Sequence, residues 1–311
     1  GAQQLEKAEG AMYDLEKLIA ASGDADAVRK LTQEYVRLGR ELQETLRRLR
    51  NENKAAEASR VAQGFEVFLR RVKLRQENVN FAALNWVAET FLGLGAGVDP
   101  GGKEPPAEAV NFYKQAYDTY AEILKRMKDD PRFAPPGADT ALKLRVAECL
   151  RGLNKHDHSM ELLAAILRQN ERRVDIQITA AETYQDWGEQ EPAYYEKAIS
   201  GGMPENGRNL VWGWAGIARR VAPQMGPGDK GARYSDTFHQ ARYNLAASRV
   251  KLAMTERGDR KLATLRQAKR DITAIYRLYP ELGGPEWYAR YDSLLKTIQK
   301  LLGEKAEGLE A

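Results

Sequence analysis

Apolar residues recur at three- and four-residue spacing along nearly the whole chain, and no segment alternates in the way a half-buried strand does. The pattern predicts helices over about 3–21, 25–50, 54–77, 80–93, 106–128, 139–153, 158–170, 174–188, 191–200, 208–221, 235–257, 259–279 and 285–302. Breaks fall at SGDAD (22–26), GAGVDPGGKEPP (95–106), DDPRFAPPGAD (129–139), SGGMPENG (200–207) and APQMGPGDKG (222–231), where Pro and Gly cannot continue a helix and Asp or Ser can cap one. So many short-linked helices imply an all-α chain of antiparallel hairpins. Val28, Leu31, Tyr35, Leu38 and Leu42 form one apolar stripe, but two heptads are too few for a coiled coil. An amphipathic helix packed on its neighbour is the simpler expectation there.

One phrase returns within this pattern. VAETFLGLG at 87–95 is followed by VAECLRGLN at 146–154 and AAETYQDWG at 180–188. Aligned on Ala88, Ala147 and Ala181, the steps are 59 and 34 residues, and a further 35 reaches Gly216. The long step is one 34-residue period plus 25 residues, which the two Pro/Gly-rich loops and the helix between them absorb. Each of the first three copies has a bulky residue three positions after the small one: Phe91, Leu150 and Tyr184. The fourth has Trp212, Ala215 and Gly216 but carries Arg219 where an aromatic is expected. At the large position that opens the pattern, the other copies have Leu84, Lys143 and Gln177. Second helices supply Ala109, Tyr113 and Ala116, then Ser159, Leu163 and Ile166, then Tyr195 and Ala198 ahead of Pro204. Ala268, Ile272, Ile275 and Pro280 repeat the spacing near the C-terminus. Small residues let two helices approach closely, and bulky ones fill the space between successive hairpins.

A helix-turn-helix period of 34 residues with these positions resembles the tetratricopeptide repeat family. The resemblance covers 80–204 best and 205–280 less well. It implies a right-handed superhelix of antiparallel helix hairpins, with 1–78 as N-terminal helical hairpins, 79–206 as the repeats and 207–311 as a helical extension holding a divergent repeat. Whether 235–257 completes the fourth repeat or starts another is open in the sequence. The resemblance also implies a concave groove. The residue after the small one is Glu89, Glu148 and Glu182, so these carboxylates would form a column along it. Asn85, Arg151, Gln185 and Arg220 would face the same side. Such a wall suits a basic or amine-bearing peptide held by charge-assisted hydrogen bonds. The competing expectation is three solvated carboxylates paired with Arg145 or Arg151, worth only about 0–1 kcal/mol each.

Composition narrows the functional classes. The 43% hydrophobic and 30% charged content describes a globular protein rather than a disordered one. No uninterrupted apolar run suggests a bilayer-spanning helix, so none is expected. The chain opens on Gly1, as a processed or recombinant product does, which leaves any targeting segment and the compartment open. A single Cys149 excludes an internal disulfide and a Cys-based zinc site. His156 and His158 in KHDHS are two apart, unsuited to chelation from one helix face, and Asp157 or Ser159 is expected to cap the following helix. GAGVDPGG lacks the Gly-Lys-Ser/Thr ending and the preceding strand of a phosphate loop. The expectation is therefore a non-enzymatic protein- or peptide-binding scaffold with no cofactor and no metal.

Charge adds one alternative. The net +4 divides into 13 Lys/Arg against 6 Asp/Glu over 29–75, 14 against 21 over 76–207, and 14 against 4 over 208–270. The basic last stretch also contains Trp212, Trp214, Tyr234, Phe238 and Tyr243, a composition that could bind nucleic acid by stacking and phosphate contacts. It could equally dock on an acidic partner or on the acidic middle of a second copy, an association that salt would weaken.

Overall fold

A helix forms at each position expected between 80 and 302 in the computed structural model of the protein, with ends shifted by a few residues. The structure describes residues 81–226 and 228–310, with isolated positions between 30 and 69. The helices expected over 3–21, 25–50 and 54–77, including the Val28–Leu42 stripe, lie outside the described residues except at those isolated positions. Helices α1 (Phe81–Val98), α2 (Ala107–Asp129) and α3 (Ala138–Gly152) precede α4 (His156–Gln169), α5 (Val174–Trp187) and α6 (Ala193–Ser200). Then come α7 (Gly213–Val221), α8 (Asp229–Thr255), α9 (Gly258–Leu278) and α10 (Pro285–Leu301). The fold is mostly helical. The chain divides into two compact units, Gly1–Lys155 and His156–Ala311, with α3 closing the first and α4 opening the second.

In the first unit α2 packs against both α1 and α3, and α1 also reaches α3. Ala88, Phe91, Ala109, Tyr113 and Ala116 are all buried, as the repeat spacing requires. Phe91 stacks on Phe112 with centroids 6.4 Å apart. The Tyr113 ring lies between two glycines. A Cβ on Gly95 of α1 would come within 2.7 Å of it, and one on Gly152 of α3 within 2.6 Å. Its hydroxyl donates to Asp99 Oδ2 at 3.2 Å, which fixes the ring in that slot. Helix α1 is 18 residues long with mean hydropathy 1.3, so by length and composition alone it could cross a membrane. Its apolar side is committed to protein, with Leu84, Val87, Ala88, Phe91 and Leu94 fully buried, as in the core helix of a folded unit.

In the second unit each helix packs on the next, and α5 reaches α7, α6 reaches α8, and α8 reaches α10. The α5–α6 pair repeats the α1–α2 construction. Gly188, seven residues after Ala181 as Gly95 is after Ala88, would place a Cβ 2.4 Å from the Tyr195 ring. Helix α8 packs on α7 and on α6, so it pairs directly with the short helix of the fourth copy.

The chain departs from an all-α plan at 202–211. Strands β1 (Gly202–Glu205) and β2 (Arg208–Val211) form an antiparallel hairpin in the register Gly202↔Val211, Pro204↔Asn209 and Glu205↔Arg208. The helix expected from 208 therefore begins at Gly213. Asn206 (φ 51°) and Gly207 (φ 76°) form the two-residue turn, whose positive φ values Asn and Gly tolerate. Gln177 of α5 ties β2 down. Its Nε2 donates to Leu210 O at 2.9 Å and its Oε1 accepts from Trp212 N at 2.8 Å, all within the buried core. That polar exchange explains why Gln177 replaces a large apolar residue at the opening position of the third copy.

Candidate functional site

The repeated phrase positions its glutamates by helix geometry alone. A buried Ala at 88, 147 and 181 turns the next side chain away from the helix contact. In the first unit Glu89 of α1 and Glu148 of α3 stand on either side of Arg145. The guanidinium Nη1 donates to Glu148 Oε2 at 2.9 Å, while Nε lies 3.9 Å from Glu89 Oε1. Side-chain exposure is 48% for Glu89 and 18% for Glu148. Burial works to lower the Arg145 guanidinium, but Glu148, followed by Tyr120 and then Glu89, outweighs it and holds the group above its usual value. Tyr120 lies beneath them, fully buried, with no hydrogen-bond partner for its hydroxyl among the described residues. Burial, reinforced by the Glu89 charge, pushes that phenol well up. Asn85, half-buried on α1, precedes Glu89 by one turn, and half-buried Arg151 on α3 follows Glu148 by three residues. The structure thus brings four of the named residues onto two facing helices of one unit.

In the second unit the corresponding face of α5 is occupied by the chain itself. Gln240 of α8 donates to Glu182 Oε1 at 3.5 Å. Gln185 Oε1 accepts from Trp214 Nε1 at 3.1 Å and from Ser248 Oγ at 2.9 Å. Lys251 pairs with Glu189 one turn further on. Glu182 and Gln185 on α5 and Glu189 in the turn that follows it each receive a partner from α8. Gln185 is therefore an acceptor joining three helices. Arg220 lies with its guanidinium 4.2 Å from the Trp212 ring and donates to Gly216 O at 3.3 Å. Burial, then the neighbouring Arg219, lowers its pKa.

Other candidates resolve individually. Trp212, Trp214 and Phe238 are buried, so the aromatic residues of the basic stretch that would best stack on bases are core residues instead. His156 begins α4 and is buried with its ring stacked on Trp187 at 5.9 Å, whereas exposed His158 meets Asp157 Oδ1 at 2.9 Å. Helix α4 thus starts before Asp157 and Ser159, which sit inside its first turn rather than ahead of it. Among the described residues no group of three or more His, Cys, Asp or Glu is placed to hold a metal ion. Cys149 is fully buried, and burial followed by the Glu148 charge pushes its thiol far up.

A cleft of about 380 Å³ between α8 and α10, lined by Asp236, Gln240, Tyr243, Glu286, Trp287 and Arg290, was not legible in the sequence. Trp287 Nε1 donates to Asp236 Oδ1 at 2.7 Å, and Arg290 covers the indole at 4.8 Å while pairing with Glu286 at 2.7 Å. The chain's own cation therefore already occupies the face that would attract one. No protein-family model and no curated protein sequence matches the chain.

Proposed function

We propose that the chain is a divergent tetratricopeptide-like repeat protein with no catalytic role of its own, and that the α1–α3 face of its first unit holds a basic peptide segment of a partner protein. The supporting observation is the shared guanidinium: Glu89 and Glu148, from equivalent places in two copies of the phrase, flank Arg145 at 3.9 and 2.9 Å. Two carboxylates at that separation accept a guanidinium between them. Glu148 is taken up by its close bond to Arg145, while Glu89 is half-exposed and only loosely engaged, so it is the carboxylate left for an incoming Lys or Arg. Asn85 flanks the pair on α1 and offers its side-chain amide to a peptide backbone, and Arg151 lies beside the pair on α3. Glu182 and Gln185, by contrast, spend their bonds within the second unit.

Exposed ion pairs contribute about 0–1 kcal/mol each, so binding would need several of them and would weaken steeply with salt. An array of basic, neutral and acidic peptides probed with the wild type and with Glu89→Gln/Glu148→Gln tests the reading. Retention of basic peptides by the wild type and its loss in the variant is expected. Equal retention by both proteins, or preference for acidic peptides, would sink it.

A further inference from the structure

Helix α8 carries Arg242 and Arg249 seven residues apart on one face, and α9 brings Arg270 beside them. The carboxylate among them is Asp271, 9% exposed, which forms an ion pair with Arg249. Arg242 Nη2 reaches the Asp271 backbone carbonyl at 3.4 Å, and its Nε is buried with no hydrogen-bond partner among the described residues. Arg242 and Arg249 are half-buried and Arg270 is exposed, so one carboxylate serves three guanidinium groups and leaves positive charge that a bound anion would relieve. Burial holds both Arg242 and Arg249 below the ordinary guanidinium range, and at Arg249 the two neighbouring arginines add to the effect.

Arg249 and Arg270 open onto a cleft of about 560 Å³ between α6, α8 and α9, a volume within the range of small-ligand sites. Thr264 lines it as well, and Ile199 and Leu252 are its aliphatic lining residues. Glu196, also on the rim, is turned to Arg260 at 3.1 Å, and Arg260 holds Glu256 at 2.6 Å as well. Gln267, which also lines the cleft, steadies Arg270 through Oε1, which accepts from its Nε at 3.2 Å.

We propose that this cleft binds a small phosphomonoester with an apolar organic group: Arg249, Arg270 and Thr264 take the phosphoryl oxygens, and Ile199 and Leu252 face the organic part. A phosphomonoester carries about −1.5 to −2 charge and three acceptor oxygens, enough to reach both Arg249 and Arg270 while Arg249 keeps its bond to Asp271. A carboxylate brings one charge and two oxygens, a weaker match to the same pair. The site lies wholly in the second unit and is independent of the basic-peptide reading.

Calorimetric titration of the full chain at low ionic strength with phenyl phosphate, inorganic phosphate, benzoate and a phosphotyrosine peptide tests the assignment. Phenyl phosphate should bind with a Kd of about 1 mM or tighter, ahead of inorganic phosphate and at least about tenfold ahead of benzoate. Arg270→Gln, at an exposed residue tied to Gln267 on its own helix, should weaken phenyl phosphate about tenfold or more, and Thr264→Val several-fold. Arg249→Gln removes the Asp271 pair as well, so its urea midpoint is measured alongside. Absence of phosphate binding, benzoate equal to phenyl phosphate, or wild-type affinity in both Arg270→Gln and Thr264→Val would overturn the proposal. Inorganic phosphate binding as tightly as phenyl phosphate would overturn the apolar part, and a peptide binding tighter than phenyl phosphate would overturn the small-ligand assignment.

Discussion

Replacing Gly95 by Ala sets two effects of opposite sign against each other. Gly in a helix interior costs about 0.5–1 kcal/mol relative to Ala, so propensity alone predicts stabilisation. The added Cβ would lie 2.7 Å from the Tyr113 ring, well inside contact distance. The ring cannot retreat, because Gly152 closes in from α3 and the hydroxyl is held by Asp99 at 3.2 Å. Overpacking a filled core costs about 1–3 kcal/mol, and a ring gripped from both sides belongs in the upper part of that range. The net expectation for Gly95→Ala is destabilisation by about 1–2 kcal/mol, seen as a lower urea midpoint with unchanged slope. In a Tyr113→Leu background the same substitution should become neutral or stabilise by up to about 1 kcal/mol. Gly188→Ala, against Tyr195 in the second unit, should repeat the sign. Stabilisation by Gly95→Ala in the wild type, or an equal cost in both backgrounds, would refute the packing argument.

Gln177→Leu should cost about 2–4 kcal/mol, because it strands the Leu210 carbonyl and the Trp212 N–H in the core; a urea midpoint unchanged from the wild type would count against this. Burial holds the His239 imidazole below its ordinary value of 6.5, in a pocket of Phe238, Tyr279 and Tyr291 rings. The unfolded chain therefore takes up that proton first. The His239 contribution to stability is complete above 6.5 and is lost as the pH falls toward the lowered folded value, so His239→Phe should flatten the pH dependence of the urea midpoint below 6.5. Cys149, buried and with its thiol pushed up, should be alkylated only as fast as the first unit opens, with rapid labelling appearing in urea.

Spacing made the packing residues legible. Ala88, Ala147 and Ala181 are fully buried, as are Ala109, Ala116, Ala198 and Ala268, because close helix approach demands small residues at a fixed interval. The hairpin was less legible. Four-residue strands are too short to show alternation, and the Asn206-Gly207 turn was the one local signal for them. The covering of α5 was not legible at all, since Gln240, Ser248 and Lys251 lie on a helix whose distance from the third copy depends on how α6, α7 and α8 pack. Charge gave a similar lesson. The basic balance of 208–270 pointed to nucleic acid, yet three of its arginines gather around one buried aspartate, a grouping that becomes visible only when α8 and α9 are set side by side.

On the reading proposed above, a basic segment docks on the first unit beside Glu89 and not on the α8-covered face of α5. Photo-crosslinking from a benzophenone side chain placed at position 85 or at position 185, using a basic peptide that the wild type retains, tests this directly. Adducts from position 85 that fade as salt is raised are expected, with none above background from position 185. Adducts of equal yield from both positions, or a yield at position 85 indifferent to salt, would contradict it.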